Sequence, residues 1–128
     1  MARKWDVHSP EGPFRTDRFD HRQHVKFAWT VLAEYETEAA ERIITNEISA
    51  FADINAPGLY HETLTRFWVR LVAHTRAHGD ADDSFDDHVE RFPILMDKRA
   101  PWRHFSAALL QSATARAVFV APDLRPIP

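Results

Sequence analysis

The segment Pro57-Gly58-Leu59-Tyr60-His61-Glu62-Thr63-Leu64-Thr65-Arg66-Phe67-Trp68 brings an imidazole, a carboxylate, hydroxyls and a guanidinium together beside large apolar side chains. After its Pro-Gly turn it reads as a helix start. Helical spacing puts His61, Thr65, Trp68 and Val72 roughly on one face, with Glu62 and Arg66 on the neighbouring one. An imidazole next to an apolar stripe can serve as a general base, a proton donor or a metal ligand. The same ring can equally be a half-buried hydrogen-bond partner of a neighbouring helix, with Glu62 and Arg66 forming a plain surface pair.

His24 offers His61 a partner. It follows Asp20 by one helical turn and shares a stripe with Phe27, Ala28, Val31 and Tyr35. In an up-down bundle the first and third helices run parallel. His24, one turn into the first, and His61, in the opening turn of the third, then project at the same end. The close of the second helix (Phe51, Asp53, Asn55) and of the fourth (Asp97, Lys98, Arg99) arrives there too. This pattern assigns catalytic roles to His24, His61 and Glu62, and substrate contacts to Thr65, Arg66 and Trp68. The histidines would move protons, Glu62 and Thr65 would orient, and Arg66 would clamp negative charge bidentately. Trp68 would supply apolar wall. The structural alternative is that Asp20 only caps its helix and His24 packs at the rim.

The chemistry such a site supports is an addition, elimination, isomerisation or cyclisation on a compact polar or anionic metabolite, which needs no cofactor. One competing reading is a non-catalytic interaction or accessory module, with the histidines structural and the tryptophans and proline tail docking a partner or a second copy in a homodimer. Another is a divalent-metal site of histidine and carboxylate. Adjacent His61 and Glu62 project about 100° apart on a helix, and neither Glu-x-x-His nor His-Glu-x-x-His occurs, so metal ligands stay unassigned. His74 and His78 have the i,i+4 spacing of a chelating pair but sit where histidines favour a helix C-terminus. His8, His21, His88 and His104 read as exposed, and Trp29 as packed between helices.

Punctuation sets the elements that must position these groups. The three glycines, Gly12, Gly58 and Gly79, mark interruptions in helical pattern. An arm (1–19) carries Trp5, Phe14 and Phe19. A first helix begins near Asp20, where Asp20 and Gln23 have capping-box spacing, and extends to Tyr35. A second runs from Thr37 or Glu38 to about Asp53, and a third from Leu59 to about Ala77. A fourth starts near Ser84, behind the acidic loop 80–87, and Pro93 either opens a new turn or kinks it. A weaker fifth spans Ser112 to Phe119. The expectation is an all-α compact bundle of four to five helices over residues 20–121, with an extended N-terminal arm before it and a proline-containing C-terminal tail, 122–128, after it.

Composition narrows the partners. A chain of 128 residues, 45% apolar, can build one core. Absence of cysteine removes disulfides, thiolate metal sites and thiol nucleophiles. A net charge of -3 with scattered Lys and Arg gives no basic stripe for nucleic acid. No leader-like start and no bilayer-length apolar run is evident, so a cytoplasmic protein with a small-molecule ligand and no membrane partner is expected.

The segments His21-Arg22-Gln23-His24-Val25-Lys26-Phe27-Ala28-Trp29 and Tyr60-His61-Glu62-Thr63-Leu64-Thr65-Arg66-Phe67-Trp68, with the ending Phe119-Val120-Ala121-Pro122-Asp123-Leu124-Arg125-Pro126-Ile127-Pro128, resemble an uncharacterised family of small bacterial all-helical proteins. The resemblance implies that the arm-to-helix junction, third helix and tail form one self-contained unit. It implies no activity.

Overall fold

The computed structural model describes residues 20–128; the expected arm, with Trp5, His8, Phe14 and Phe19, lies outside the described residues. Asp20 opens the first helix by accepting a hydrogen bond from Gln23 N at 3.0 Å, which satisfies one of the donors a helix start leaves bare. Helix α1 (His21–Leu32) buries Val25, Phe27, Ala28 and Val31 and leaves Tyr35 beyond its end, 40% exposed, where an inward position was expected. Helix α2 (Thr37–Asn55) turns in Ala40, Ile44, Ile48 and Phe51. Helix α3 (Glu62–His78) is sheathed on every side, with Phe67, Val69, Leu71 and Val72 all buried. Its position at the centre follows from apolar groups covering more than one face.

Two ring contacts fix the relation of α1 to α3. His21 meets Trp68 edge-on at 4.3 Å, and Arg76 lies 4.5 Å over the Trp29 ring. Each pair advances eight residues along both helices, so α1 and α3 run parallel. Helix α2 is antiparallel to α3. Glu41, near its start, reaches Arg70 at 3.3 Å, while Phe51 and Asn55, near its end, lie with His61 and Leu64.

The acidic loop feeds α4 (Phe85–Arg91), capped by Ser84 accepting from Asp87 N. Phe85 is buried, and an Arg22–Asp86 ion pair ties α4 to α1. The helix stops before Pro93, which opens a 3₁₀ turn (Pro93–Met96). A second 3₁₀ turn (Ala100–Arg103) carries Pro101. The expected fifth helix is present in shortened form as α6 (Ala113–Ala117), capped by Ser112, and a short helix that was not expected, α5 (Ala107–Leu110), precedes it, capped by Ser106. The result is an all-helical bundle.

The tail is pinned. Ser106 donates from both N and Oγ to the Asp123 carboxylate, at 2.7 and 2.6 Å, which holds that carboxyl below the usual range. His104 Nδ1 donates to the Arg125 and Pro126 carbonyls, both at 3.0 Å. His104 is therefore buried, not exposed as expected. His88 departs in the same way: it is 1% exposed and donates from Nε2 to Thr75 Oγ1 at 2.9 Å, since the Thr75 proton serves Val72 O. Half-buried His21 donates to Leu95 O at 2.7 Å. Gly79 matters through close approach, as a Cβ there would stand 2.9 Å from the Phe92 ring and 3.3 Å from His88.

Candidate functional site

A cavity of about 470 Å³ opens at the end of the bundle where α1 and α3 begin and α2 closes. From α1 it takes His24 and Ala28. From α2 it takes Ile44, Ile48, Phe51 and Ala52, and Asn55 stands at its rim. The third side is the α2–α3 connection with the first turns of α3: Leu59, Tyr60, His61, Leu64, Thr65 and Trp68. Gly58, at φ 81°, makes the turn that brings this connection across the opening.

His61 is not in the helix, as its spacing suggested, but immediately before it, in extended backbone. Its Nδ1 accepts from Leu64 N at 3.1 Å and so caps α3. That acceptance fixes the proton on Nε2, which donates to Leu110 O at 2.7 Å. Both ring nitrogens are thus committed in one neutral tautomer, and the ring braces the start of α3 against α5. A proton relay between His24 and His61 would have to break the cap or the brace.

His24 has a different character. Burial, and secondarily the neighbouring His21, push its pKa down to about 4, against a smaller upward pull from Asp20. The imidazole is uncharged at neutral pH.

Thr65 Oγ1 donates to His61 O at 2.8 Å, and the Tyr60 phenol donates to Glu62 Oε1 and adjoins Thr65. Burial, and then the adjacent Glu62 carboxylate, raise the Tyr60 pKa, so the phenol stays protonated.

Thr65 and Trp68 line the cavity; Glu62 and Arg66 do not. The second oxygen of Glu62 receives Arg66 at 3.2 Å, and Arg66 also reaches Glu41 at 3.6 Å, beside Arg70. Arg70 in turn lies 4.0 Å over the Phe119 ring. This ladder runs along the α2–α3 seam, so the guanidinium expected to clamp an anion is neutralised by two carboxylates of its own chain. The missed partner is Glu41, whose distance in sequence from Arg66 hides the pairing.

Thr63 and Glu47 are among the buried polar groups that the sequence pattern did not reveal. Thr63, fully buried, directs its hydroxyl at Ala115 O (2.7 Å) and Val118 O (3.0 Å) and accepts from Val120 N (3.2 Å). Glu47 is 3% exposed on α2. Each occupies an inward position by helical period, Thr63 one turn before Phe67 and Glu47 between Ile44 and Ile48. Thr63→Val, which keeps shape but removes the hub, is expected to lower unfolding free energy by about 2 kcal/mol in urea titration, whereas Thr63→Ser stays within about 1 kcal/mol of the parent.

Among the described residues, no three His, Asp or Glu side chains gather as a metal ion would require. The His74 and His78 rings lie 4.3 Å apart, and His78 Nδ1 donates to His74 O at 2.9 Å, a local helix-end contact. Among the described residues, no helix is long and apolar enough to cross a membrane. Comparison with protein-family models, curated proteins and solved structures gives no match. What stands is a small, compact all-helical chain whose polar and charged side chains cluster in a way consistent with a ligand- or substrate-binding site.

Proposed function

We propose that this chain is a small-molecule-binding protein whose ligand occupies the cavity between α1, α2 and the start of α3. The observation that carries the reading is the cavity itself. Its volume, about 470 Å³, lies in the range of small-ligand sites, and its apolar walls are interrupted by a few polar side chains at one end. His24, Thr65 and Trp68 are assigned as ligand-contacting residues. His61 is assigned as a positioning residue, because its ring holds the α3 start that presents Thr65 and Trp68. Glu62 positions Tyr60 through the phenol hydrogen bond, and Arg66 positions Glu62. Any acid–base chemistry in this reading falls to His24 alone, acting as an uncharged base.

An uncharged fluorescent probe, N-phenyl-1-naphthylamine, tests the proposal. The parent protein should bind it in a saturable one-to-one manner. Ala52→Trp, which fills the cavity from α2, should weaken binding at least about tenfold while its circular dichroism and melting remain those of the parent. Equal binding by the two folded proteins would end the proposal.

A further inference from the structure

We infer that the ligand taken by this cavity is an uncharged molecule with an aromatic or branched aliphatic body and a single neutral hydrogen-bonding group, such as an alcohol, phenol or amide. The inference rests on the binding reading above and names the ligand class for the same site. It departs from the polar or anionic metabolite that the residue types alone suggested.

Charge is the deciding quantity. Among the described residues, no Asp, Glu, Lys or Arg side chain lines the cavity. An ion transferred from water to an apolar site without an opposite charge loses hydration that nothing replaces. The first cation along α3, Arg66, is held by Glu62 at 3.2 Å and Glu41 at 3.6 Å. Recruiting it would break both ion pairs, leaving Glu62 only the Tyr60 phenol and Glu41 only Arg70. Glu62 is equally unsuited to a cationic ligand, since its two oxygens already receive Tyr60 and Arg66.

The histidines do not supply the missing charge. His61 has both nitrogens engaged in its neutral form, Nδ1 from Leu64 N and Nε2 to Leu110 O. His24 is kept neutral by burial. What remains is short-range polar capacity. The Tyr60 and Thr65 hydroxyl protons already serve Glu62 and His61 O, which leaves lone pairs on both oxygens. The Trp68 indole and Asn55, whose Nδ2 already donates to Phe51 O at 3.0 Å, complete a set of lining groups that can address one neutral polar group but cannot compensate a full charge. The rest of the wall is apolar, with Ile44, Ile48, Phe51, Leu59, Leu64 and Val69 its larger side chains, which selects for an apolar body.

A charge series on one skeleton tests this at about pH 7.5, where the ionisation of each compound is settled: naphthalene, 2-naphthol, 2-naphthoate and 2-naphthylmethylammonium. Binding is read by calorimetry, or by displacement of N-phenyl-1-naphthylamine, against parent protein and Ala52→Trp. The expected result is that 2-naphthol binds at least about tenfold more tightly than either ion, with naphthalene between, and that all binding falls in Ala52→Trp. If 2-naphthoate or the ammonium binds as tightly as 2-naphthol and Ala52→Trp abolishes it, the class is overturned while the cavity reading survives. If none of the four binds in a way that Ala52→Trp abolishes, the cavity reading falls and takes the ligand class with it.

Discussion

Replacing His61 by alanine is expected to lower the unfolding free energy by about 3 kcal/mol, and replacing it by asparagine to restore about 1 kcal/mol of that. Two losses add in the alanine variant. The first is the cap: Leu64 N no longer finds Nδ1 at 3.1 Å, and removing a helix cap costs about 1 kcal/mol. The second is the brace: the Leu110 carbonyl loses Nε2 at 2.7 Å, and an acceptor left unpaired at a largely buried residue costs about 1–3 kcal/mol. Asparagine is among the preferred capping residues, so it replaces the first interaction, but it is too short to reach Leu110. Urea unfolding of the three proteins measures both steps. Ligand affinity should follow the same order, because the loosened segment carries Tyr60, Thr65 and Trp68. A purely proton-transferring His61 gives the opposite pattern, with stability unmoved by either change.

The role of His61 explains much of what could and could not be read from the chain. Helical period located α1, α2 and α3, and the up-down rule put His24 and His61 at one end of a parallel pair. The cavity that both residues line lies at that end. These features depend on apolar spacing, which a sequence carries openly. The cap did not show, because histidine is a rare capping residue and Pro57-Gly58 seemed a sufficient helix boundary.

Buried polar groups were hidden for a related reason. His88 stands at i+3 from Phe85, and Glu47 at i+3 from Ile44, so both sit on inward stripes. Their polar character argued for water more loudly than their position argued for the core. His88 is reconciled with burial by Thr75, and Thr63 by carbonyls some fifty residues away on α6 and beyond. Partners that remote are set by the tertiary arrangement of the bundle. Arg66 illustrates the same limit: its pairing with Glu62 at i,i+4 could be read from spacing, whereas the approach of a second carboxylate, Glu41 from α2, could not.

Mild acid is expected to destabilise this protein well before its carboxylates titrate, and His24 should be the largest identified source. An unfolded histidine takes up its proton near pH 6.5, whereas folded His24 does so at about 4. Above pH 6.5 both states hold the ring neutral, and the stability is fully present. Between the two values the unfolded chain binds a proton that the folded chain resists, so stability falls by about 1.4 kcal/mol for each pH unit. The loss is complete near the folded pKa and amounts to about 3 kcal/mol. His21 and His88 act in the same direction, since burial lowers both. For His21 the Leu95 carbonyl and Asp20 oppose the effect while Lys98 adds to it. For His88 Arg76 and Arg91 reinforce it and Asp83 opposes it. Urea unfolding of parent and His24→Gln from about pH 7 down to pH 4 isolates the main contribution, because the other titrating groups are common to both proteins. The parent should lose its advantage, or deepen its deficit, by about 3 kcal/mol relative to the variant across that window. A gap between the two proteins that stays constant with pH would mean that His24 is not held neutral by its surroundings. The uncharged wall assigned to the cavity would then lose its principal histidine.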